Sequence, residues 1–182
     1  MPPTMTARVA VVDDRDRFVR WTTRAEIHDH RLPHRSVQVA LYDGAGRLVL
    51  QRRHASKRTY PGCWDMSASG HVEEPDYPDP GRPDHDLDAI YDAVAARELE
   101  EELGVSAPLT RLGRFAPEPG VHYEHFVFYR GVHDGPHTPQ PSEVAEVRAY
   151  DRGELAALLA SDAPRTRSLE YLLDWLDRRG RR

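Results

Sequence analysis

The chain has 182 residues, with 25 Lys or Arg against 30 Asp or Glu, and its formal net charge is −5. This balance argues against a general nucleic-acid or membrane-surface binder, because such proteins need a basic surface. The single cysteine, Cys63, excludes an intramolecular disulfide. The first ten residues lack a signal-peptide pattern and no stretch approaches 18 apolar residues, so we expect a cytoplasmic protein.

The first half of the chain is predicted to be mostly β-strand. Alternating apolar residues bounded by turn signals predict strands at 8–12, 18–21, 36–42 and 47–53, with a short strand or buried loop at 64–70. The last two full strands, joined by the turn at 43–46, form the clearest hairpin. A short helix over 24–27 is expected to begin after Thr22 or Thr23 as its N-cap.

The second half opens with a segment of different composition, 75–86, which holds four prolines and four aspartates. Such a segment cannot form a helix or a central strand, so we predict a surface loop. The apolar spacing that follows predicts a helix over 87–103, with Asp86 as N-cap and Gly104 at its end. Its apolar stripe is Leu87, Ile90, Tyr91 and Val94.

The remaining elements continue the mixture of strands and helices. Strands are predicted at 109–115, 121–130 and 143–150, a capping box at 151–154, a helix at 155–160, and a terminal amphipathic helix containing Leu169, Leu172, Leu173 and Leu176. No repeat and no linker divides the chain. We therefore expect one mixed α/β domain over 1–182.

Three glutamates are grouped near the end of the predicted helix over 87–103. Glu98, Glu101 and Glu102 have i, i+3 and i+4 spacing, which puts their carboxylates on one helix face. Like charges at this spacing weaken a helix by about 0.2–0.5 kcal/mol a pair, and the helix dipole also disfavours anions there. A divalent cation such as Mg²⁺, which prefers carboxylate oxygens, would offset this repulsion. The alternative is a solvated acidic face.

The string Arg-Glu-Leu-Glu-Glu-Glu-Leu-Gly-Val at 97–105 matches the second half of the Nudix box at each fixed position. Further matches are Arg52-Arg53, Ser56-Lys57, Pro61-Gly62 with Trp64, and Ser69-Gly70-His71-Val72. Together they resemble the isopentenyl-diphosphate-isomerase-like branch of the Nudix hydrolase superfamily, over roughly residues 8–178. The resemblance implies the α/β Nudix fold, a mixed β-sheet sandwiched between α-helices (α/β/α).

The resemblance also implies roles for residues of this chain. Glu98, Glu101 and Glu102 match the catalytic metal ligands of the box, and Glu98 also matches a candidate base. Gly70 matches the glycine whose carbonyl often completes the metal shell, and Arg97 matches a structural arginine. The implied cofactor is Mg²⁺, with Mn²⁺ as the other candidate.

One part of the box departs from the family pattern. In the family the arginine pairs with a glutamate eight residues earlier, six residues after the glycine. In this chain the position eight before Arg97 is an alanine, nineteen residues after Gly70, so thirteen additional residues are present. We interpret 75–86 as an insertion within the box, either a lid or specificity element or a tolerated surface loop. Asp86 or Asp88 is then the candidate partner of Arg97.

An isomerase is the second enzyme that the resemblance suggests. Isomerases of this branch use a cysteine two residues before the histidine of the box, where this chain has Ser69, a far weaker acid. Cys63 lies too early in the chain to replace it. The metal site of the isomerases is matched in part by His34, His71 and Glu124, with His28 or His30 nearby and His122 where that site has an acid.

Arg53 and Lys57 match positions that contact the diphosphate in the isomerase branch. A pair of cations beside a carboxylate metal site suits a phosphate clamp, although ordinary surface cations are the alternative. Four aromatic residues are candidates either to stack a base or to fill the core: Tyr60, Trp64, Tyr123 and Phe126.

We therefore expect metal-dependent hydrolysis of the diphosphate linkage in a nucleoside diphosphate linked to another group. Glu98 is the first candidate for the base, with Glu124 and Glu143 as alternatives. The expected partner is a small-molecule diphosphate substrate, with no nucleic acid and no membrane; a homodimer is left open. The other hypotheses are an isopentenyl-diphosphate isomerase and a catalytically weak nucleotide-binding Nudix protein.

Overall fold

The structure is a computed structural model that describes residues 7–180, so both ends of the predicted domain lie outside the described residues. The strands are β1 (Arg8–Val12), β2 (Phe18–Thr23), β3 (His34–Tyr42), β4 (Leu48–Arg53), β5 (Trp64–Asp65), β6 (Ala68–His71), β7 (Thr110–Phe115), β8 (Glu124–Val132) and β9 (Val144–Tyr150). The helices are α1 (Arg24–His30), α2 (Leu87–Leu103), α3 (Arg152–Ala160) and α4 (Arg167–Gly180). A single 3₁₀ turn, Glu74–Asp76, precedes α2.

Strand β3 organises the sheet. It pairs antiparallel with β1, β4 and β6, and it pairs parallel with β8 along its whole length, from His34 opposite Glu124 to Tyr42 opposite Val132. Strand β4 also pairs with β5 and β9, and β7 pairs with β8. The sheet is therefore mixed, as the Nudix resemblance predicted.

Each face of the sheet carries its own apolar core. On one face, Val37, Val39 and Val127 pack against Leu99 and Leu103 of α2. The core on the opposite face is formed with α3 and α4 and includes Leu50, Phe126, Phe128, Leu158, Leu169 and Leu172. Because side chains alternate between faces along a strand, neighbouring residues of β8 enter different cores. The α/β/α sandwich predicted from the sequence is confirmed.

Local signals at helix ends were predicted with mixed success. The Thr23 hydroxyl caps α1 by accepting from the Glu26 N–H, and Asp151 with Glu154 forms the predicted capping box of α3. Asp86 occupies the predicted N-cap position of α2, and its carbonyl accepts from the Ile90 N–H at 3.1 Å. Asp86 has a left-handed φ of 51° and its side chain makes no capping hydrogen bond. Gly104, at φ 66°, ends α2 as predicted.

Residues 77–86 contain no strand or helix, and they are fastened to the sheet by a buried arginine. Arg35 of β3 is fully buried; its guanidinium donates to the Pro83 carbonyl at 2.8 Å and to the Asp84 carboxylate at 2.6 Å. It also donates to the Asp16 carboxylate at 2.7 Å. Since Tyr77 and Pro83 are both buried, this segment packs into the protein at two points and is not a wholly exposed surface loop.

Within the described residues, each helix is too short or too polar to cross a lipid bilayer.

Candidate active site

Helix α2 places two glutamates together at its C-terminal end. Glu98 and Glu102 lie one turn apart, and each is only 7% exposed. Leu99 and Leu103, their neighbours along the chain, are fully buried in the core and fix the rotation of the helix. Burying Leu99 and Leu103 therefore turns the two carboxylates towards the sheet instead of towards solvent.

Gly70 of β6 makes the closest backbone approach to these carboxylates. A Cβ atom built on Gly70 would lie 2.0 Å from Cδ of Glu98, far closer than any real contact. Only glycine lets the strand lie this close to the glutamate. The structure thus brings together the glycine and the first glutamate of the box, although 28 positions separate them.

Glu102 is held by two donors from the sheet. The Ser69 backbone N–H donates to its carboxylate at 3.0 Å, and the Gln51 side-chain amide donates to the same oxygen at 2.6 Å. Gln51 was not singled out from the sequence. The sequence feature that could have identified Gln51 is its position: it is a polar residue directly after the apolar run Leu48-Val49-Leu50 of a buried strand.

Arg97 joins three acidic side chains. Its guanidinium lies 2.9 Å from the Glu98 carboxylate, 3.0 Å from Glu101 and 3.1 Å from Asp76. Glu101, in contrast to the other two glutamates of the box, is exposed. Nη1 of Arg97 therefore orients both Glu98 and Glu101, while Asp76 binds Nη2 of the same guanidinium.

The prediction that Asp86 or Asp88 pairs with Arg97 is wrong. Asp76 takes this role, and Asp88 instead pairs with Arg111 at 2.8 Å. Asp76 stands six residues after Gly70, the position where the family pattern has its glutamate. The additional residues therefore follow the acid, between Asp76 and Arg97. Counting eight residues back from Arg97 did not reach Asp76, because the insertion lies between these two residues.

The buried glutamates are electrostatically strained in the free protein. Burial raises the pKa of Glu98 to about 8; the nearby Glu102 adds to this shift and Arg97 opposes it. Burial also raises the pKa of Glu102 to about 7, against the hydrogen bonds from Ser69 and Gln51. Glu98 and Glu102, one helical turn apart, together offer hard carboxylate oxygens, which fits Mg²⁺ or Mn²⁺, and a bound cation would favour their ionised forms.

The predicted phosphate-binding cations both have acidic partners. Arg53 lies 3.3 Å from the buried Asp65 carboxylate and donates to the Thr59 carbonyl at 3.1 Å. Lys57 forms an ion pair with Glu143. The positive charge of Arg53 also lowers the pKa of Glu102, so Arg53 acts electrostatically on the carboxylate pair.

Glu124 is not part of the carboxylate pair. It lies opposite His34 in the β3–β8 pairing, on the sheet face that carries Phe126 and Phe128. The possible ligand atoms of His34, His71 and Glu124 all lie within 4.8 Å of one another. His34 Nδ1 lies 2.8 Å from the Leu32 carbonyl, so it carries the proton and leaves Nε2 free to coordinate. The three residues that the sequence grouped do come together.

Neither Ser69 nor Cys63 is placed and activated as the acid of the isomerases. Ser69 occupies the cysteine position, and Cys63 lies in the turn before β5, where its carbonyl accepts from the Arg53 N–H. Burial raises the pKa of the Cys63 thiol, which favours the unreactive neutral form. Of the four aromatic candidates, Trp64 and Phe126 are buried in the core, Tyr60 is exposed and Tyr123 is half-buried beneath Arg31.

A mixed sheet between helices, with buried glutamates from one helix against a strand glycine, defines an α/β/α protein with a carboxylate-lined site. Residues 32–173 match the family model described as NUDIX domain. Because this match covers more than half of the chain, the protein belongs to the Nudix family.

Curated relatives extend over most of the chain. It is 40% identical over 158 residues to an uncharacterized Nudix hydrolase of Pseudomonas aeruginosa, covering 86% of this chain and 85% of the relative. It is also 35% identical over 161 residues to the isopentenyl-diphosphate Delta-isomerase of Nocardia farcinica, covering 85% of each. Both branches named in the sequence analysis are therefore represented among its relatives.

Solved structures agree on the fold. A Deinococcus radiodurans protein, DR0079, is 23% identical with a TM-score of 0.73, over 92% of this chain and 98% of that one. The NUDIX domain of Shewanella oneidensis NrtR, solved with ADP ribose, is 17% identical with a TM-score of 0.59, over 87% of this chain and 99% of that domain. At these identities the similarity concerns the fold alone.

Proposed function

We propose that this Nudix protein hydrolyses the diphosphate linkage of a nucleoside diphosphate joined to another group, and that it requires Mg²⁺ or Mn²⁺. The observation that carries the proposal is the pair Glu98 and Glu102, buried together against Gly70. Two carboxylates buried side by side destabilise the free protein, and a bound divalent cation removes that cost. The family to which the chain belongs supports the same assignment.

The residues of this site have distinct tasks in the proposed reaction. Glu98, Glu101 and Glu102, with the Gly70 carbonyl, would hold the cation. When bound, the cation supplies charge neutralisation on the diphosphate and lowers the pKa of water. Arg97 orients the carboxylates, and Arg53 and Lys57 stabilise negative charge on the phosphates.

The proposed hydrolysis also needs a base to accept a proton from water. Water forms a new bond to phosphorus while the bridging phosphorus–oxygen bond breaks, and the released phosphate takes the electron pair. Glu98 accepts the proton of the attacking water, since it lies against the glycine strand beside the other acidic groups. Glu143 is paired with Lys57, and Glu124 lies on the other sheet face, so both are secondary candidates.

A substrate panel with an isotope label tests the proposal. The purified protein is incubated with ADP-ribose, nucleoside diphosphate sugars, nucleoside triphosphates and coenzymes, with Mg²⁺ or Mn²⁺, in ¹⁸O-labelled water. The expected result is many turnovers per protein and one ¹⁸O atom in one of the two phosphate products. If product never exceeds the amount of protein with any substrate, the proposal is wrong and a binding role remains.

An isomerase is the second candidate, favoured by the Nocardia farcinica relative and by the grouping of His34, His71 and Glu124. Its reaction removes a proton from carbon and adds another, so D₂O labels the product. We expect no deuterium in isopentenyl diphosphate recovered after incubation, because Ser69 is a poor acid. Deuterium incorporation that depends on the protein would make the isomerase the better assignment.

A further inference from the structure

Strand β3 carries a row of buried polar side chains on one face. His34, Ser36 and Gln38 occupy alternate positions, so they point the same way. They are 2%, 5% and 8% exposed, respectively. His34 Nε2, Ser36 Oγ and Gln38 Oε1 each lack a hydrogen-bond partner anywhere in residues 7–180.

Three such atoms in one strand are not explained by folding. A buried polar atom without a partner is costly, and native proteins pair nearly all of them with protein, water or ligand. Arg35, between His34 and Ser36, is buried with acidic partners, and the next two residues on its face, Val37 and Val39, are apolar and fully buried in the α2 core. On the face of the row, the next residue after Gln38 is Ala40, which is fully buried in the opposite core. An apolar residue at 36 or 38 would therefore suit the fold better, which points to a binding role for the polar ones.

The pairing of the strands locates the row. Ser36 lies opposite His71 of β6 and Phe126 of β8, and Gln38 lies opposite Ser69 and Phe128. Paired residues share a sheet face, so the row lies in a strip between β6 and β8. The strip faces away from the α2 core, because Phe126 and Phe128 belong to the opposite core.

Strand β6 separates this strip from the carboxylate site. Its Gly70 faces Glu98, while the residues on either side, Ser69 and His71, belong to the strip. Ser69 connects the two sites, because its backbone N–H donates to the Glu102 carboxylate at 3.0 Å and it lies opposite Gln38 in the β3–β6 pairing. A substrate whose diphosphate binds at Glu98 and Glu102 therefore reaches Ser36 and Gln38, on the other sheet face, by passing the edge of β6, which pairs with β3 on its other side.

The chemistry of the row selects its ligand. The Gln38 oxygen is an acceptor. His34 Nε2 is also an acceptor whenever its cluster with His71 and Glu124 holds no cation, because Nδ1 of that ring donates to the Leu32 carbonyl. The Ser36 hydroxyl both donates and accepts. Ligand hydroxyl groups satisfy such a row, whereas a hydrocarbon chain would leave each of these atoms unpaired.

We propose that Ser36 and Gln38 bind hydroxyl groups of the moiety attached to the diphosphate, and that they make the enzyme prefer a sugar-like group over a prenyl group. This inference rests on the proposed function and adds the class of the linked group. It assigns specificity to two residues outside the Nudix box.

The test compares the binding of two probes to the wild type and to a variant that lacks the polar side chains at positions 36 and 38. ADP-ribose carries a hydroxylated group beyond its diphosphate, and isopentenyl diphosphate carries a hydrocarbon. The double variant Ser36→Ala/Gln38→Met removes the row at nearly constant volume, and Ser106→Ala, at an exposed serine, is the control. Steady-state kinetics is measured for the preferred substrate of the panel, and calorimetry measures binding of both probes.

The wild type is expected to bind ADP-ribose more tightly than isopentenyl diphosphate. In the double variant kcat/KM for the hydroxylated substrate falls about 10- to 100-fold, mainly through KM, with binding of isopentenyl diphosphate unchanged or tighter. The melting temperature of the free double variant stays at or above that of the wild type, because unpaired polar atoms are removed. This retained stability shows that a loss of binding is not a loss of folding.

Two results overturn the inference: a wild type that prefers isopentenyl diphosphate, or a double variant that binds and hydrolyses the hydroxylated substrate like Ser106→Ala. If the wild type hydrolyses the panel but the double variant is unaffected, the inference fails and the proposed function stands. If the wild type hydrolyses nothing, the proposed function fails, and the calorimetric comparison of the two probes still decides the inference.

Discussion

Asp76 and Arg97 form an ion pair at 3.1 Å although 21 positions separate them in the chain. The two residues flank the inserted segment. The acid and the arginine of the box are therefore in contact despite the thirteen additional residues between them. Asp76 thereby keeps Arg97 positioned to hold Glu98 and Glu101. The two halves of the Nudix box, which the insertion separates in the sequence, are therefore in contact in the fold.

Replacing Asp76 with Asn should weaken the metal site without unfolding the protein. Arg97 loses its charged partner and orients Glu98 less well, so we expect Mg²⁺ affinity to fall about 10- to 100-fold. Titration of Mg²⁺ against hydrolysis rate measures this. Asp76→Glu should restore most of the affinity, and Asp86→Asn should have no effect. Equal losses for Asp76→Asn and Asp86→Asn would contradict the assignment of the partner.

Replacing Gly70 with Ala should strongly reduce activity, because the added Cβ would lie 2.0 Å from the Glu98 carboxylate carbon. Either β6 or Glu98 must move, and we expect kcat/KM to fall at least about 100-fold. The matched control is Gly153→Ala in α3, where the new Cβ has ordinary contacts and should raise stability by about 0.5–1 kcal/mol. Wild-type activity in Gly70→Ala would show that this close approach does not exist.

The raised carboxyl pKa values predict an unusual pH dependence for the metal-free protein. A carboxyl group whose folded pKa exceeds its unfolded value of 4.5 favours folding at low pH, and this contribution is lost as pH rises towards the folded pKa. With Glu98 at about 8 and Glu102 at about 7, stability should fall between pH 5 and 8. The loss is about 1.4 kcal/mol for each pKa unit of difference.

Thermal melts in EDTA at several pH values test this dependence. Glu98→Gln should reduce the slope and raise the melting temperature at pH 8, since the buried charge is removed. Added Mg²⁺ should stabilise the wild type more at pH 8 than at pH 5, because protons compete with the cation. A wild-type melting temperature that is highest at pH 8 in EDTA would refute the buried-carboxylate account.

Removing the buried arginine of β3 should release the inserted segment. Arg35→Met removes the buried cation that Asp16 and Asp84 share, although Asp16 keeps Arg114 at 3.7 Å, and we expect a loss of about 3 kcal/mol in the free energy of unfolding. Arg82→Ala, at an exposed arginine of the same segment, should change stability by less than about 0.5 kcal/mol. Urea denaturation measures both, and limited proteolysis within 77–86 should become faster in Arg35→Met alone.

The sequence predicted the parts of the site that depend on local spacing. Helix α2 has the predicted bounds, because its apolar period and Gly104 are local signals. The partner of Arg97 was missed because the insertion hides a contact that only folding reveals. Arg35 was also missed, since a charged residue in an alternating strand is ordinarily exposed, whereas here it is buried with acidic partners from distant segments. The roles of Arg53 and Lys57, the cytoplasmic location and a homodimer stay predictions.

The central claim is that Glu98 and Glu102 hold a divalent cation used in diphosphate hydrolysis. The most direct measurement is the Mg²⁺-dependent kcat/KM of Glu98→Gln and Glu102→Gln on the preferred substrate of the panel, with the exposed Glu100→Gln as control. We predict losses of at least about 100-fold for the first two variants, with weaker Mg²⁺ binding by calorimetry, and wild-type values for the control. Wild-type rates and Mg²⁺ affinity in Glu98→Gln and Glu102→Gln would contradict the account.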